Sequence, residues 1–238
     1  MSEFNYYIYC ITYRSDYVPE TTGHRNEAIY EVMYKDISAF ISKIDCTHVD
    51  LSYDNLQCHE NVISEIIKNC TLLPMSFSTI CKTEEKIKLL LEKYYDQFIS
   101  NLKYLDGKIE LGIKVFYKLN FDEEDKKVKN IYKNPKDYML RKYELYQNRQ
   151  KQINNHISKI IKYHKQLSDL SHDSCYTTPI KNNLLFNASY LVFDEKKSDF
   201  DKTIGKMKDE LTDYMIMYSG PWPAYHFIKI DWQGDENE

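Results

Sequence analysis

The residues best suited to chemistry or recognition lie near the C-terminus, in Gly220-Pro221-Trp222-Pro223-Ala224-Tyr225-His226-Phe227. Two prolines fix their own φ and push each preceding residue toward an extended conformation. Trp222 is thus held in a stiff stretch between Pro221 and Pro223. Two readings follow: a rigid corner around a buried Trp, or an aromatic anchor presented to a partner. Thiols and imidazoles offer less. Cys46, His48, Cys58 and His59 match no standard zinc spacing, and a helix turns Cys58 about 100° away from His59, so no metal site is expected. Cys58 or Cys175 would need a base brought near by the fold to act as a nucleophile. The glycines form no G-x-G-x-x-G, and Gly107-Lys108 and Gly205-Lys206 are not followed by Ser or Thr. No phosphate loop, H-E-x-x-H or G-x-S-x-G is present, and no cofactor or enzymatic activity is expected.

A second feature is electrostatic. Between Lys126 and Lys165 lie ten Lys and two Arg against two acids, a net of +10, which leaves −14 for the rest of a chain of net charge −4. Tyr132, Tyr138, Tyr143, Tyr146 and Tyr163 interleave with these cations, a pattern able to stack bases and neutralise phosphates. The competing reading puts Tyr143 and Tyr146 on the inward stripe of a helix and the lysines on its solvated face. No recognised nucleic-acid module is visible, so nucleic acid is not the expected partner.

The elements that must position these residues are legible from periodicity. Tyr6–Tyr13, Ala28–Tyr34 and Asp36–Ile44 read as strands and Leu51–Cys70 as a helix. Leu72–Ile80 reads as a strand interrupted at Pro74. One helix, capped by Thr83 and stopped at Asp106-Gly107, carries the stripe Ile87, Leu90, Leu91, Tyr94, Phe98, Leu102 and Leu105. Ile109–Leu119 alternates as a strand, and 120–134 reads as a loop. Pro135 opens a long helix with the stripe Met139, Tyr143, Tyr146, Ile153, Ile157, Ile160, His164 and Leu167. Ser171–Thr178 and Leu184–Phe193 read as strands, the latter central because it is apolar on both faces. Ser198 is positioned to cap a further helix, Tyr214–Ser219 is a strand, and Tyr225–Ile230 is a last extended segment.

The predicted fold class is α+β with two domains. Residues 1–106 form a mixed α/β unit. Residues 107–238, in the order strand, helix, strand, strand, helix, strand, form a ferredoxin-like (βαββαβ) domain with a C-terminal extension. The 238 residues, 42% hydrophobic and 14% aromatic, suffice for a substantial core. No apolar run is long enough for a membrane span, and no secretory signal opens the chain, so a cytoplasmic location and free thiols are expected.

The C-terminal segment closely resembles the G-P-W-P-P-Y-x-F signature of the gas vesicle protein F/L (GvpF/GvpL) family. Further stretches are similar in order: Asn5–Ile11, His59-Glu60-Asn61-Val62, Leu73-Pro74-Met75-Ser76-Phe77-Ser78-Thr79, Gly107–Val115, Tyr138-Met139 with Arg141-Lys142, and Ala188–Val192. Three positions depart from the pattern: Ser76 and Ser78 stand where the family has Arg and Gly, and Ala224 where it has a second Pro. The resemblance implies an accessory protein of gas vesicle formation that binds the hydrophobic shell protein of the GvpA type. It would limit aggregation of that subunit and assist nucleation and assembly, beside other accessory proteins and associated with the vesicle. Trp222, Pro221, Pro223, Tyr225 and Phe77 are the implied partner-binding residues.

Overall fold

A computed structural model describes residues 4–15, 17–118, 134–179 and 183–232. The chain divides into two compact units, one made of residues 1–109 and 222–238, the other of residues 110–221. The tail after Pro221 therefore packs with the first unit, whereas the sequence pattern had attached it to the second. Local periodicity carries no information about such a return.

The first unit is built on strands β1 (Asn5–Tyr13), β2 (Ile29–Tyr34), β3 (Ile37–Ile44), β4 (Leu72–Pro74) and β5 (Ile80–Cys81). The order is β2-β3-β1-β4, with β5 also beside β1. The pairings of β1 with β3, β4 and β5 and of β2 with β3 are antiparallel. Tyr7 to Thr12 of β1 are all buried, as a strand covered on both faces requires. The single strand expected over 72–80 is two short ones, because Ser76–Ser78 loop away from β1 while Met75 N–H donates to Tyr9 O and Thr79 O accepts from Ile8 N–H, both at 2.9 Å.

Helix α1 (Tyr53–Ile66) is capped by Ser52, whose Oγ accepts from Asn55 N–H at 3.3 Å, and it buries His59, Val62, Ile63 and Ile66. The next helix, read as continuous, is two: α2 (Glu84–Lys93) and α3 (Tyr95–Leu105), broken at Tyr94, whose φ and ψ are −108° and 15°. No glycine or proline marks that break. The apolar stripe survives it, since Ile87, Leu91, Tyr94, Phe98, Leu102 and Leu105 are all buried. Thr83 caps α2 as expected, and Gly107, at φ 65°, follows α3 in the left-handed conformation that suits glycine.

The second unit holds β6 (Lys108–Tyr117), α4 (Pro135–Asp169), β7 (Asp173–Thr177), β8 (Leu184–Phe193), α5 (Lys197–Glu210) and β9 (Tyr214–Trp222). Its sheet runs β7-β8-β6-β9, which makes β8 central, as its two apolar faces indicate. His164 Nδ1 of α4 meets Tyr190 Oη of β8 at 2.9 Å, and His156 Nδ1 meets Tyr214 Oη of β9 at 2.5 Å. Phe200 of α5 packs on Tyr190, with ring centroids 5.2 Å apart.

The structure departs from the sequence pattern at four further places. Ser198 lies inside the first turn of α5 and caps nothing; position 196, a lysine, precedes the helix. Strand β9 does not end at Ser219 but runs on through Gly220 and Pro221 to Trp222. A short 3-10 turn, Tyr225–Phe227, replaces the start of the expected extended segment. Met139, Tyr143 and Tyr146 are exposed, because the part of α4 that packs begins at Ile153. The loop read over 120–134 lies, all but Asn134, outside the described residues.

Candidate partner-binding site

The core of the first unit contains an aromatic and imidazole cluster that β1 and α1 bring together. Ser78 N–H donates to Tyr7 Oη at 2.9 Å, and Tyr7 Oη lies 3.0 Å from His59 Nδ1. With the phenol donating to Nδ1, the ring proton is assigned to Nε2, which lies 3.3 Å from Tyr225 Oη. Tyr225 in turn donates to Glu60 Oε1 at 3.3 Å. Tyr9 Oη sits 3.0 Å from Ser42 Oγ and accepts from His24 N–H at 2.9 Å. Phe77 closes the cluster edge-on, 5.8 Å from the His59 ring and 6.4 Å from Tyr7.

Burial sets the protonation of the whole cluster. His59 is 1% exposed, and desolvation, aided by neighbouring His24, lowers its pKa to about 4. Desolvation lowers His24 as well and pushes Tyr9 up to about 12 and Tyr7 higher still. Glu60 is raised by the same cause. At neutral pH the imidazoles are neutral and the phenols protonated, which makes the cluster a hydrogen-bonded frame. Cys10, Cys58, Cys81 and Cys175 are all raised by desolvation, which opposes the thiolate that a nucleophile requires. All six cysteines are free.

Ser78 explains one departure from the family pattern. Its φ is 64°, a left-handed conformation that favours glycine. Its Oγ accepts from Val49 N–H at 3.1 Å and so satisfies a backbone donor that glycine would leave to other partners.

Beside the cluster lies a cavity of about 490 Å³, walled by Ile8, Leu73, Met75, Ile80, Leu90 and the tail residues Tyr225, Ile228, Ile230 and Trp232. Ser76, Thr79 and Cys81 supply its polar edge. The tail is held over it by Asn101 of α3. Asn101 Nδ2 donates to Lys229 O at 2.9 Å, and Asn101 Oδ1 accepts from Lys229 N–H at 2.8 Å. Gln97 Oε1 accepts from Asp231 N–H at 2.8 Å. Trp232 packs on Tyr94 and Phe98, with centroids 4.9 and 6.2 Å away. Sequence reasoning missed this tail wall; its signal was the alternation Ile228, Ile230, Trp232.

Among the sequence-predicted residues, Tyr225 and Phe77 are half-buried and pack against one core cluster, while Pro223 is buried. Pro221 is exposed in β9, and Trp222, the last residue of that strand, is 45% exposed. The structure thus places Tyr225 and Phe77 in the frame and Trp222 at the surface.

The two mixed α/β units with their antiparallel sheets match solved gas vesicle proteins. The crystal structure of GvpF from Anabaena aligns with a TM-score of 0.79 over 96% of this chain and 97% of that one, at 20% identity. That of GvpF from Microcystis aeruginosa aligns at 0.76 over 95% and 99%, at 21% identity. The sequence profile described as gas vesicle synthesis protein GvpL/GvpF matches residues 5–229. The chain belongs to this GvpL/GvpF family, and its part is in gas vesicle formation. Among its relatives, gas vesicle protein F1 of Halobacterium salinarum is 29% identical over 95% of this chain and 93% of its own length. Gas vesicle protein F of Haloferax mediterranei is 25% identical over 98% and 97%. Among the described residues no helix is long and apolar enough to cross a membrane.

Proposed function

We propose that the protein is a cytoplasmic, vesicle-associated assembly factor that binds the hydrophobic shell subunit of the GvpA type and limits its aggregation before it joins the growing shell. The family membership supplies the setting, and the exposed Trp222, fixed between two prolines, is the observation that carries the reading. A shell subunit facing gas exposes a large apolar surface, and patches above a few hundred Å² drive aggregation. Covering about 400 Å² contributes some 10 kcal/mol before the costs of association. Trp222 is the proposed anchor and Pro221 and Pro223 set its direction. Tyr225 and Phe77 support the segment from behind through the His59 frame. The sheet order of the second unit, with both helices between its strands, supports reading residues 107–221 as a ferredoxin-like domain.

The test is capture of the purified shell subunit by the full chain and by Trp222→Ala. About 100 Å² of exposed indole at 25 cal/mol/Å² amounts to about 2.5 kcal/mol, a loss of affinity of roughly seventyfold. Unchanged capture by a variant of unchanged melting temperature removes Trp222 from the contact.

A further inference from the structure

The long helix α4 contains a face that folding leaves uncovered. Ile153, Ile160 and Leu167 of its C-terminal part are fully buried on the second unit. At about 100° per residue, Met139 and Tyr146 lie about 40° and 20° from the direction of Ile153, with Tyr143 at the edge of the face, about 80° away. Met139, Tyr143 and Tyr146 are 70%, 63% and 57% exposed. From Lys136 to Gln152 no side chain of the helix is buried, so the packing stripe continues in register about 20 Å past the point where packing ends.

The charge around this stripe is one-sided. Relative to the row Met139, Tyr143 and Tyr146, Lys136 falls about 50° to one side and Lys142 about 70° to the other, whereas Asp137 and Glu144 lie on the far side of the helix together with Arg141 and Lys151. Glu144 is also paired there, accepting from Arg141 Nη1 at 3.1 Å. Two copies of this face would set like charges against each other. An apolar row at i, i+4 and i+7 between cationic shoulders fits a helix of the opposite charge pattern.

We propose that residues 136–149 of α4 form a docking face for an amphipathic helix with acidic shoulders, presented by a partner protein. This face is distinct from Trp222, so failure of the Trp222 test leaves it standing, and its own failure leaves the shell-subunit reading standing.

The test uses the full chain and two fluorescein-labelled helical peptides of about five turns, with identical leucine stripes and either Glu or Lys shoulders, followed by anisotropy. The Glu peptide binds at least tenfold tighter, and its affinity falls as salt rises from about 0.05 to 0.5 M. The exposed pair Tyr143→Ser with Tyr146→Ser, at unchanged melting temperature, weakens it at least tenfold. The pair Lys136→Glu with Lys142→Glu reverses the preference between peptides, a readout that does not depend on the first variant folding. Equal affinity for both peptides, or binding that survives the tyrosine changes, overturns the proposal. Single-stranded RNA bound more tightly than the Glu peptide through the lysines alone overturns it in favour of nucleic acid. A dimer in sedimentation that the tyrosine changes dissolve overturns it in favour of a second copy. A photo-crosslinker placed at position 143 in cells co-expressing the vesicle genes provides the second measurement. An acidic amphipathic segment in the adduct supports the proposal, and an adduct on any other kind of segment overturns it.

Discussion

Acidification should loosen the first unit through His59. The imidazole is buried, with Nδ1 taken by Tyr7 and a pKa lowered to about 4, against about 6.5 when the chain is unfolded. Between those values the unfolded chain binds a proton that the fold refuses, so stability is fully present above pH 6.5 and falls with acid. From pH 7.5 to 5.0 one such group removes about 2 kcal/mol. His24, in the same unit, is lowered too and adds to the same trend. His59→Asn isolates the contribution, because it keeps an acceptor near Tyr7 and cannot titrate. Trp232 packs on Tyr94 and Phe98 of the first unit, so urea unfolding followed by tryptophan fluorescence in a Trp222→Phe background reports on the unit that holds His59. The variant should be less stable than the parent at pH 7.5 yet lose about 2 kcal/mol less on going to pH 5.0. If parent and variant lose stability in parallel, His59 is not kept neutral by burial and the protonation scheme of the cluster is wrong.

Three further outcomes follow from packing and backbone geometry. Gly23→Ala would place its Cβ 2.4 Å from Tyr9 Oη and 2.7 Å from Ser42 Oγ, so it should destabilise by about 1–3 kcal/mol, read as a lowered melting temperature. Asn101→Ala removes both hydrogen bonds to Lys229 and should cost about 2 kcal/mol, with faster amide exchange across 225–232 as the specific sign. At Ser78, alanine keeps the left-handed strain and loses the Oγ that serves Val49, whereas glycine loses only the latter. Melting temperatures should therefore rank Ser78→Gly above Ser78→Ala by about 1 kcal/mol equivalent.

The sequence conveyed local structure well and return paths poorly. Strand Leu184–Phe193 has the limits its two-faced apolar run suggests, and Thr83 caps α2 because a hydroxyl before two glutamates is a strong local signal. Tyr94 breaks a helix without glycine or proline, and only the packing of its ring on Phe98 and Trp232 records the position. The α4 periodicity marks a face, but it cannot say how far the sheet beneath that face extends, and the packed core stops at Ile153, leaving Met139, Tyr143 and Tyr146 exposed. At the candidate site the proline-flanked Trp222 was visible from its neighbours. The frame behind Tyr225 was not, since His59 and Tyr225 are separated by 166 positions.

The split course of the first unit bears on the order in which it can mature on the ribosome. Residues 225–232 wall the apolar cavity, yet they are synthesised only after the whole of 110–221. At ordinary elongation rates that interval is on the order of ten seconds. Throughout it the greasy side chains of Leu73, Met75 and Ile80 lack their lid. Translation stalled within the excursion would yield a product whose first unit lacks that wall.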